Sequence, residues 1–335
     1  MLAQRGVRLD ELAVLFGAVT IGNSAYLVMR PGEAIGGKSG DIVFVESLGQ
    51  LEACVKSGAA ALASPQLFQQ GKSIWALNGL ACAEPRLHFH VAYRILAAHD
   101  DLAGTESVGV CISADAAVHA SAMLAPGCVV QAGARIEAHA ALYPGVVVEQ
   151  GATVGAGSIV RSRAVIGRDS VIGAMCDIGS GSVIGAEPQQ FEAANGVWTR
   201  KPGKTRVRLG ERVAVGANSV IECGARRETV LESDVLIGGQ VYIAHDCQIE
   251  RGVLIIGQSG LASGVRIGHG AALMARVAVD VDIHIGADAM ILATSGVTKD
   301  VAVGARVWGN PARSRTDALR RYHRQNATVS TGGAF

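Results

Sequence analysis

Aliphatic residues recur at every sixth position through two long stretches of the chain. The first stretch runs from Ile112 to Ile184 and the second from Leu231 to Val303, and each contains 13 aliphatic residues in phase. The residue after each aliphatic position is often small or acidic, as in "VGAGSI" and "IEAHAA". A spacing of six fits neither an α-helix nor a long strand, so it indicates a chain that turns a corner after every short strand.

Three such edges make a triangular coil of about 18 residues, and stacked coils lie about 4.8 Å apart, as neighbouring strands do. The aliphatic residue of each hexapeptide points inward and the small residue after it fits the corner. The spacing therefore predicts a parallel β-helix over residues 109–311. Between the two runs the spacing is kept by Leu209, Val215 and Ile221.

The two ends of the chain break this period. Residues 1–108 contain the strand-like "DIVFVES" and the helically spaced "RLHFHVAYRILAAH", which predict an α/β domain that caps one end of the helix. Residues 312–335 contain "TDALRRYHRQ", which predicts a short basic helix followed by a tail. The fold class is thus mainly β, with an N-terminal α/β domain and a short C-terminal helical extension.

Residues 186–208 interrupt the first run with a polar segment that contains two prolines. A loop that projects from one edge is expected there, and long loops on rigid scaffolds often carry binding residues. A tolerated insertion without a function is the alternative. "GARRET", residues 224–229, shifts the phase by four residues and predicts a smaller bulge.

Composition excludes some classes of function. The net charge of +1 gives no strong field for nucleic acid or for a membrane surface. No apolar run is long enough to span a membrane, and Asp10 and Glu11 argue against a secretory signal. The seven cysteines are scattered without a CxxC pair, so reduced thiols in a cytoplasmic protein are expected. No cluster has metal-ligand spacing, and no metal site is predicted.

His245, in "VYIAHDC", is the candidate catalytic residue. It lies two residues after the inward Ile243, so the pattern places it on an outward edge, where it could act as a general base. A packed core histidine is the alternative. Asp246 could orient the ring, although an adjacent acid is more often solvated. Cys247 is interpreted as a packing residue.

The remaining histidines are weaker candidates. His269 is expected on a different face from His245. His88 and His90 are interpreted as structural residues on a helix, and the residues expected to be solvated are His119, His139 and His323.

Several motifs resemble those of the lipid A acyltransferases. "GDIVFVES", "EPRLHFHVAYRIL", "NGVWTRKP", "VYIAHDC" and "GQSGLASGVRIG" are similar to segments of the UDP-3-O-acylglucosamine N-acyltransferases over nearly the full length. "IGAEPQ" and "IAHDC" are also close to motifs of the UDP-N-acetylglucosamine O-acyltransferases, which lack an N-terminal domain like this one. The N-acyltransferase family is therefore the closer resemblance.

The resemblance implies a left-handed β-helix, a catalytic His245 and a homotrimer with its sites between subunits. It also implies acyl transfer from an acyl-carrier-protein phosphopantetheine thioester to the amine of a nucleotide-linked amino sugar, without a bound cofactor. Two alternatives remain open. One is an acetyl- or acyl-CoA-dependent sugar N- or O-acyltransferase outside lipid A synthesis, and the other is a non-catalytic β-helix binding protein.

The residues that the resemblance assigns to the acceptor depart from the family pattern. The family holds uracil between a Phe and a Tyr with an Asn nearby. Phe44 matches the Phe, whereas Ser47 stands at the Asn position and Gln50 at the Tyr position. In the projecting loop, "EPQQF" leaves Phe191, and "NGVWTRKP" contributes Trp198. The family's chain-limiting methionines are replaced in "ILATSG".

Two further sets of residues are candidates for supporting roles. Asp282 stands where the family has a second histidine, and His284 follows two residues later. A basic cluster near the C-terminus could steer an acidic carrier protein, although a solvated helix is the alternative. The cluster consists of Arg313, Arg315, Arg320, Arg321 and Arg324.

Overall fold

The structure, a computed structural model, describes residues 6–33, 36–71, 77–105 and 108–320. The chain divides into two compact units. The first comprises residues 1–108 together with 119–126 and 138–141, so it extends beyond the domain boundary expected at residue 108. The second comprises residues 109–118, 127–137 and 142–335.

The first unit contains an α/β sheet, as the fold class predicted. Four strands are parallel, and β2 pairs antiparallel with β7, in the order β2-β7-β6-β5-β4. The elements are β1 (Val7–Arg8), α1 (Leu9–Phe16), β2 (Val19–Ile21), β3 (Leu27–Val28), β4 (Arg30–Gly32), β5 (Asp41–Phe44), α2 (Leu48–Ser57), β6 (Ala60–Ala63), α3 (Pro65–Gln70), β7 (Asn78–Ala81) and α4 (Pro85–Leu102).

Burial explains why these short apolar segments become strands. All four residues of β6 are buried, because parallel strands in an α/β sheet are covered on both faces. Val43, Leu51 and Ala61 belong to one buried cluster that joins β5, α2 and β6. α2 begins at a capping box formed by Ser47 and Gln50.

The rest of the described chain is a succession of very short strands. They are β8 (Cys111–Ile112), β9 (Ala117–Val118), β10 (Met123–Leu124), β11 (Val129–Val130), β12 (Arg135–Ile136), β13 (Ala141–Leu142), β14 (Val147–Val148), β15 (Thr153–Val154), β16 (Ile159–Val160), β17 (Val165–Ile166), β18 (Val171–Ile172), β19 (Asp177–Ile178), β20 (Val183–Ala186), β21 (Gln190–Ala194), β22 (Val197–Lys201), β23 (Val207–Leu209), β24 (Ala214–Val215), β25 (Val220–Glu222), β26 (Thr229–Leu231), β27 (Leu236–Ile237), β28 (Tyr242–Ile243), β29 (Gln248–Ile249), β30 (Leu254–Ile255), β31 (Gly260–Leu261), β32 (Arg266–Ile267), β33 (Ala272–Leu273), β34 (Ala278–Val279), β35 (His284–Ile285), β36 (Met290–Ile291), β37 (Gly296–Val297), β38 (Arg306–Trp308) and β39 (Arg313–Ser314).

Apart from β21, β22 and β39, these strands form a left-handed parallel β-helix. The period of six predicted the parallel β-helix, and the family resemblance implied its left hand. β14 pairs in parallel with β11 and β17, through Val129↔Val147 and Val147↔Val165, so one coil takes 18 residues. From Val130 to Val297 the inward aliphatic residue of each hexapeptide is buried. Ile112 is exposed in β8, at the edge of its sheet. Val303 is exposed because the last coil is shorter than 18 residues, so that the buried Val301 pairs with Ile285 in the inward position.

The two interruptions of the period have different structures. Residues 186–208 contain an antiparallel hairpin of β21 and β22 rather than an irregular loop. Its turn is Asn195-Gly196, in which both residues have positive φ, as an Asn-Gly hairpin turn requires. The bulge at 224–229 lengthens its coil, since Ile221 pairs with Ile243 across 22 residues.

The chain ends its described part in a short helical segment over residues 315–320. In the described ranges, no helix has both the length and the apolar composition that crossing a membrane requires.

Candidate active site

His245 lies at the corner between β28 and β29, and its side chain is only 9% exposed. Its backbone N–H donates to Oε2 of Glu222 at 2.9 Å, which holds this corner against the preceding coil. The pattern predicted an outward edge for His245, and the structure shows that the ring is buried there, since residues 222–227 bind this corner through Glu222 and the backbone of residues 225–227. The ring is nevertheless not isolated in an apolar core, since its neighbours are carboxylates.

Asp246 is fully buried, and the alternative that it is simply solvated is wrong. Its Oδ1 accepts hydrogen bonds from the backbone N–H groups of Ala225, Arg226 and Arg227 at 2.9–3.1 Å. Its Oδ2 lies 3.1 Å from Nδ1 of His245 and 3.2 Å from Nε of Arg226. The bulge at 224–229 thus forms a backbone cradle for one carboxylate.

The cradle keeps Asp246 ionised. Burial alone would raise the pKa of Asp246, but the N–H groups of Arg226 and Arg227, with the His245 ring, outweigh it and hold this pKa well below its usual range. A carboxylate at 3.1 Å favours the His245 tautomer with a proton on Nδ1. Nε2 is then the basic nitrogen.

Glu222 and Tyr242 complete the surroundings of His245, and sequence reasoning missed both. Glu222 is buried, and its Oε1 accepts hydrogen bonds from the N–H of Gln189 at 2.7 Å and from the Tyr242 hydroxyl. Burial and then Glu222 raise the pKa of Tyr242, so the phenol stays protonated. Acidic residues follow inward aliphatic residues at many exposed corners of this chain, so nothing in the pattern singled out Glu222.

Cys247 is buried, and its Sγ lies 3.3 Å from the carbonyl oxygen of Ala262. Burial raises the pKa of Cys247 to about 12. A thiol that stays protonated at neutral pH is a poor nucleophile, so the geometry favours the interpretation of Cys247 as a packing residue.

The two residues predicted to support His245 lie on later coils. Asp282 lines a cleft of about 330 Å³ together with Arg226, Arg227 and Arg266. His284 is exposed and lies in register with Arg266 on the adjacent strand. Within the described residues neither Asp282 nor His284 hydrogen-bonds to His245, so the structure does not bring either into direct contact with the ring.

Phe44 lines a pocket of about 750 Å³ in the first unit, but Ser47 and Gln50 do not. The Arg86 guanidinium lies over the Phe44 ring, 5.4 Å from its centroid. The Ser47 hydroxyl accepts the N–H of Gln50 as the helix cap, and Gln50 Oε1 accepts N–H groups in return. The two residues at the expected Asn and Tyr positions therefore stabilise the start of α2. Phe44 instead contacts two residues of α4, the Arg86 guanidinium and the Phe89 ring, whose centroid lies 6.2 Å from that of Phe44.

Phe191 and Trp198 are exposed on the projecting hairpin. Phe191 pairs with Arg200 and Ala193 pairs with Trp198, which places Phe191 and Trp198 on the same face of the hairpin. The Asn-Gly turn between two β-prone segments was the sequence signal that could have identified this hairpin.

The basic residues near the C-terminus are exposed where they are described. Arg313, Arg315 and Arg320 are exposed, and Arg320 lies 3.5 Å from Asp317. Arg321 and Arg324 lie outside the described residues.

A second buried histidine site lies in the first unit, and the expectation that His139 is solvated is wrong. His139 and His99 are both buried, with ring centroids 5.7 Å apart, and His139 Nε2 lies 3.7 Å from Oε2 of Glu11. Neither ring nitrogen of His99 has a hydrogen-bond partner among the described residues. Burial, and then the nearby His139, lower the pKa of His99 to about 4.

The described residues contain no group of three or more His, Cys, Asp and Glu side chains arranged to hold a metal ion.

No protein-family model matches the chain. Short sequence matches exist to curated proteins named UDP-3-O-acylglucosamine N-acyltransferase. The Burkholderia multivorans protein is 43% identical over 58 residues, which is 17% of this chain and 16% of that protein. The Xylella fastidiosa protein is 47% identical over 55 residues, 16% of each chain. The matches thus span about a sixth of the relatives' length.

Solved structures match a much larger part of the chain. The Arabidopsis UDP-N-acetylglucosamine acyltransferase aligns over 63% of this chain and 76% of its own, with 25% identity and a TM-score of 0.54. LpxA from Acinetobacter baumannii aligns over 61% of this chain and 77% of its own, with 22% identity and a TM-score of 0.50, which supports the fold alone. In local sequence and in fold, the chain resembles the hexapeptide-repeat acyltransferases of lipid A biosynthesis.

Proposed function

We propose that this protein transfers an acyl group from an acyl-carrier-protein thioester to the amine of a nucleotide-linked amino sugar, with His245 as the general base. The observation that carries the proposal is the contact between His245 Nδ1 and the buried, ionised Asp246 at 3.1 Å. It fixes the orientation and tautomer of one imidazole on a rigid β-edge. The similarity to proteins named as sugar acyltransferases supports the same reaction class.

The reaction needs one base and no covalent enzyme intermediate. The acceptor amine attacks the thioester carbonyl carbon, and His245 Nε2 takes the proton that the nitrogen loses. Asp246 stabilises the resulting imidazolium through Nδ1–H. When the tetrahedral intermediate collapses, the C–S bond breaks, and the imidazolium returns its proton to the departing thiolate. The amide and the free phosphopantetheine thiol are the products.

Acceptor binding is assigned to Phe44 and to the hairpin residues Phe191 and Trp198, which offer aromatic surface. Because Arg86 already covers part of the Phe44 ring, we expect weak uracil stacking there. Base stacking on an aromatic ring contributes about 1–3 kcal/mol, so losing half of the family's platform lowers affinity for uridine nucleotides appreciably. Ser47 is not assigned to base binding, because its hydroxyl caps α2.

The donor side of the proposal rests on charge. Arg313, Arg315 and Arg320 form an exposed basic surface that can attract an acidic carrier protein through its phosphopantetheine-bearing region. Arg321 and Arg324 extend this run in sequence. No bound cofactor is required, because the thioester is a substrate. The free cysteines and this donor suit a cytoplasmic location.

A homotrimer is the proposed assembly, in which clefts between β-helix edges hold the acceptor near His245. Sedimentation velocity at micromolar concentration should give the mass of three chains. A stable monomer under those conditions would contradict the proposed trimer and its sites between subunits.

A second candidate is an acetyl- or acyl-CoA-dependent sugar N- or O-acyltransferase outside lipid A synthesis. The similarity to the Arabidopsis UDP-N-acetylglucosamine acyltransferase, over 76% of that chain, supports acyl transfer to a UDP sugar with either donor. A non-catalytic binding protein is less well supported, because a binding surface has no need for a buried carboxylate that orients a histidine.

The experiment is a turnover assay with purified protein. Donors are acyl carrier proteins loaded with short or long acyl chains and the matching acyl-CoAs. Acceptors are a UDP-linked 3-O-acyl glucosamine, which presents an amine, and UDP-N-acetylglucosamine, which presents a hydroxyl. Amide formation from the carrier-protein donor is expected. Transfer only from acyl-CoA, or only to the hydroxyl, would replace this function with the second candidate, and no transfer in any combination would contradict both.

A further inference from the structure

Three arginines gather beside the candidate catalytic pair. Arg226 and Arg227 come from the bulge that cradles Asp246, and Arg266 comes from β32 in the coil after β29. Together with Asp282 they line a cleft of about 330 Å³. Three guanidinium groups and one carboxylate leave the cleft with a net positive charge.

These guanidinium groups are only partly used within the protein. Arg226 contacts Asp246 through Nε, yet its side chain is 71% exposed. Arg227 donates Nε–H to the carbonyl oxygen of Asp246, which leaves its terminal nitrogens and its charge available. Arg266 is exposed. In the described parts of the chain, neither Arg227 nor Arg266 forms an ion pair with a carboxylate.

From this arrangement we infer that Arg226, Arg227 and Arg266 form a phosphate-binding site that takes the diphosphate of the acceptor. The inference rests on the proposed function, because it assigns one part of the acceptor to one part of the site. Guanidinium groups bind phosphate oxygens through paired, charge-assisted hydrogen bonds. Asp282, in the same cleft, can accept hydrogen bonds from sugar hydroxyls next to that phosphate.

The position of the cleft relative to His245 favours the acceptor over the donor as the source of the phosphate. Oδ2 of Asp246 contacts both the His245 ring and Arg226 Nε, so these two groups lie within two hydrogen-bond lengths of each other. In a nucleotide-linked 2-amino sugar only C2, C1 and O1 separate the amine from the nearer phosphorus. In phosphopantetheine the whole pantetheine arm separates the thioester from the phosphate. A phosphate held beside the base therefore matches the acceptor.

Calorimetric titration can test this site. The probes are inorganic pyrophosphate, UDP-N-acetylglucosamine and coenzyme A, each titrated into the wild-type protein and into Arg227→Gln and Arg266→Gln. Each substitution should weaken binding of pyrophosphate and of the UDP sugar by about tenfold or more, because a charge-assisted hydrogen bond is lost. The salt dependence of binding should also decrease, since one fixed positive charge is removed.

Arg135→Gln is the matched control. Arg135 occupies the first position of a two-residue strand on the same sheet as Arg266, with an inward isoleucine after it, but it lies several coils away and pairs with Glu137. Binding of all three probes should be the same in this variant and in the wild type.

Three results would overturn the inference. One is equal pyrophosphate affinity in the wild type and both variants, and another is weakened binding of coenzyme A alone, which would assign the arginines to the donor. The third is a loss of assembly mass in sedimentation, with phosphate binding unchanged, which would make the arginines interface residues.

The site and the proposed function can fail separately. Pyrophosphate binding through these arginines in a protein that transfers no acyl group would keep the site and remove the function. Acyl transfer that depends on His245 but not on Arg227 or Arg266 would keep the proposed function and contradict the phosphate site.

Discussion

His245 and His99 are buried to nearly the same extent, since 7% and 5% of the surface of the whole residue is exposed, but their hydrogen-bond partners differ. The His245 ring contacts the ionised carboxylate of Asp246, and the His245 backbone N–H donates to the side chain of Glu222. His99 has another histidine as its ring neighbour, and neither of its nitrogens is hydrogen-bonded among the described residues. The Asp246 carboxylate would stabilise a positive charge on the His245 ring, whereas burial and the neighbouring His139 oppose a positive charge on the His99 ring.

Burial alone therefore does not separate His245, the proposed general base, from His99. The two residues differ in the hydrogen-bond partner of Nδ1, which is Asp246 for His245 and absent for His99 among the described residues. Asp246 is ionised because three backbone N–H groups bind one of its oxygens, and in the proposed reaction this carboxylate stabilises the proton that His245 takes up. Around His99, desolvation is not offset, and its pKa falls to about 4.

The largest effect is expected for Asp246→Asn. The amide cannot stabilise an imidazolium, and its NH₂ group conflicts with the surrounding donors, so turnover should fall by about 10²–10⁴-fold, the usual range for losing acid–base catalysis. Hydrogen bonds to charged groups contribute about 1.5–3 kcal/mol each, so the free energy of unfolding should also fall by about 3 kcal/mol. Turnover assays and chemical denaturation measure the two effects.

Asp282→Asn is the control for the loss of stability alone, because Asp282 is an exposed corner aspartate with a similar positive φ and no hydrogen bond to His245. Its free energy of unfolding should stay within about 0.5 kcal/mol of wild type. Turnover of Asp246→Asn equal to that of wild type would show that the carboxylate only supports the corner.

The second prediction concerns the pH dependence of stability in the first unit. The folded-state pKa of His99, about 4, lies below its unfolded value of about 6.5, so the unfolded chain binds more protons between these values. Stability should therefore fall as the pH decreases from about 6.5 to about 4, by about 3 kcal/mol from this residue. Above pH 6.5 the residue contributes no pH dependence.

His99→Leu should remove that part of the pH dependence, as measured by denaturant unfolding at a series of pH values. The groups facing this cluster, His139 and Glu11, are present in both proteins, so the difference between wild type and variant reports the loss of His99 together with its effect on His139. His90→Leu on the same helix is the control, because His90 is exposed. An unchanged pH profile in His99→Leu would mean that the unpaired ring has no energetic cost.

The smallest effect is expected for His269→Ala. Its side chain is 65% exposed, and its ring lies 3.6 Å from Glu250, which is a surface contact. Exposed ion pairs contribute about 0–1 kcal/mol, so the free energy of unfolding should change by about 0.5 kcal/mol or less, and turnover should stay within about twofold. A loss of turnover comparable to that of Asp246→Asn would show that an exposed contact between a histidine and a carboxylate also supports turnover. The buried contact with Asp246 would then no longer set His245 apart.

The period of six was enough to predict the coils, because one buried aliphatic per edge is a local and repeated requirement. Even the coil lengthened to 22 residues follows from the four-residue shift at "GARRET". The burial of His245 could not be predicted in the same way. It depends on how Glu222 binds the His245 N–H and how residues 225–227 bind Asp246, and an inserted segment has no period from which its path can be calculated.

The same limit applies outside the β-helix. Gln50 stands at the position of the family's base-stacking Tyr, but its side chain caps α2, and Arg86 and Phe89 from α4 contact Phe44. Sequence spacing placed Phe44 on a strand, whereas the partner of its ring comes from a helix about 40 residues later. Contacts between distant segments decide such sites, and a single sequence does not state them.

The most direct test of the central claim is to measure turnover and the free energy of unfolding on the same preparations of His245→Ala and His99→Ala. Both rings are buried, so each variant should lose stability while remaining folded at 25 °C. His245→Ala should lose about 10²–10⁴-fold in turnover, and His99→Ala should keep turnover near that of wild type while folded. Near-normal turnover in a well-folded His245→Ala protein would contradict the assignment of His245 as the general base.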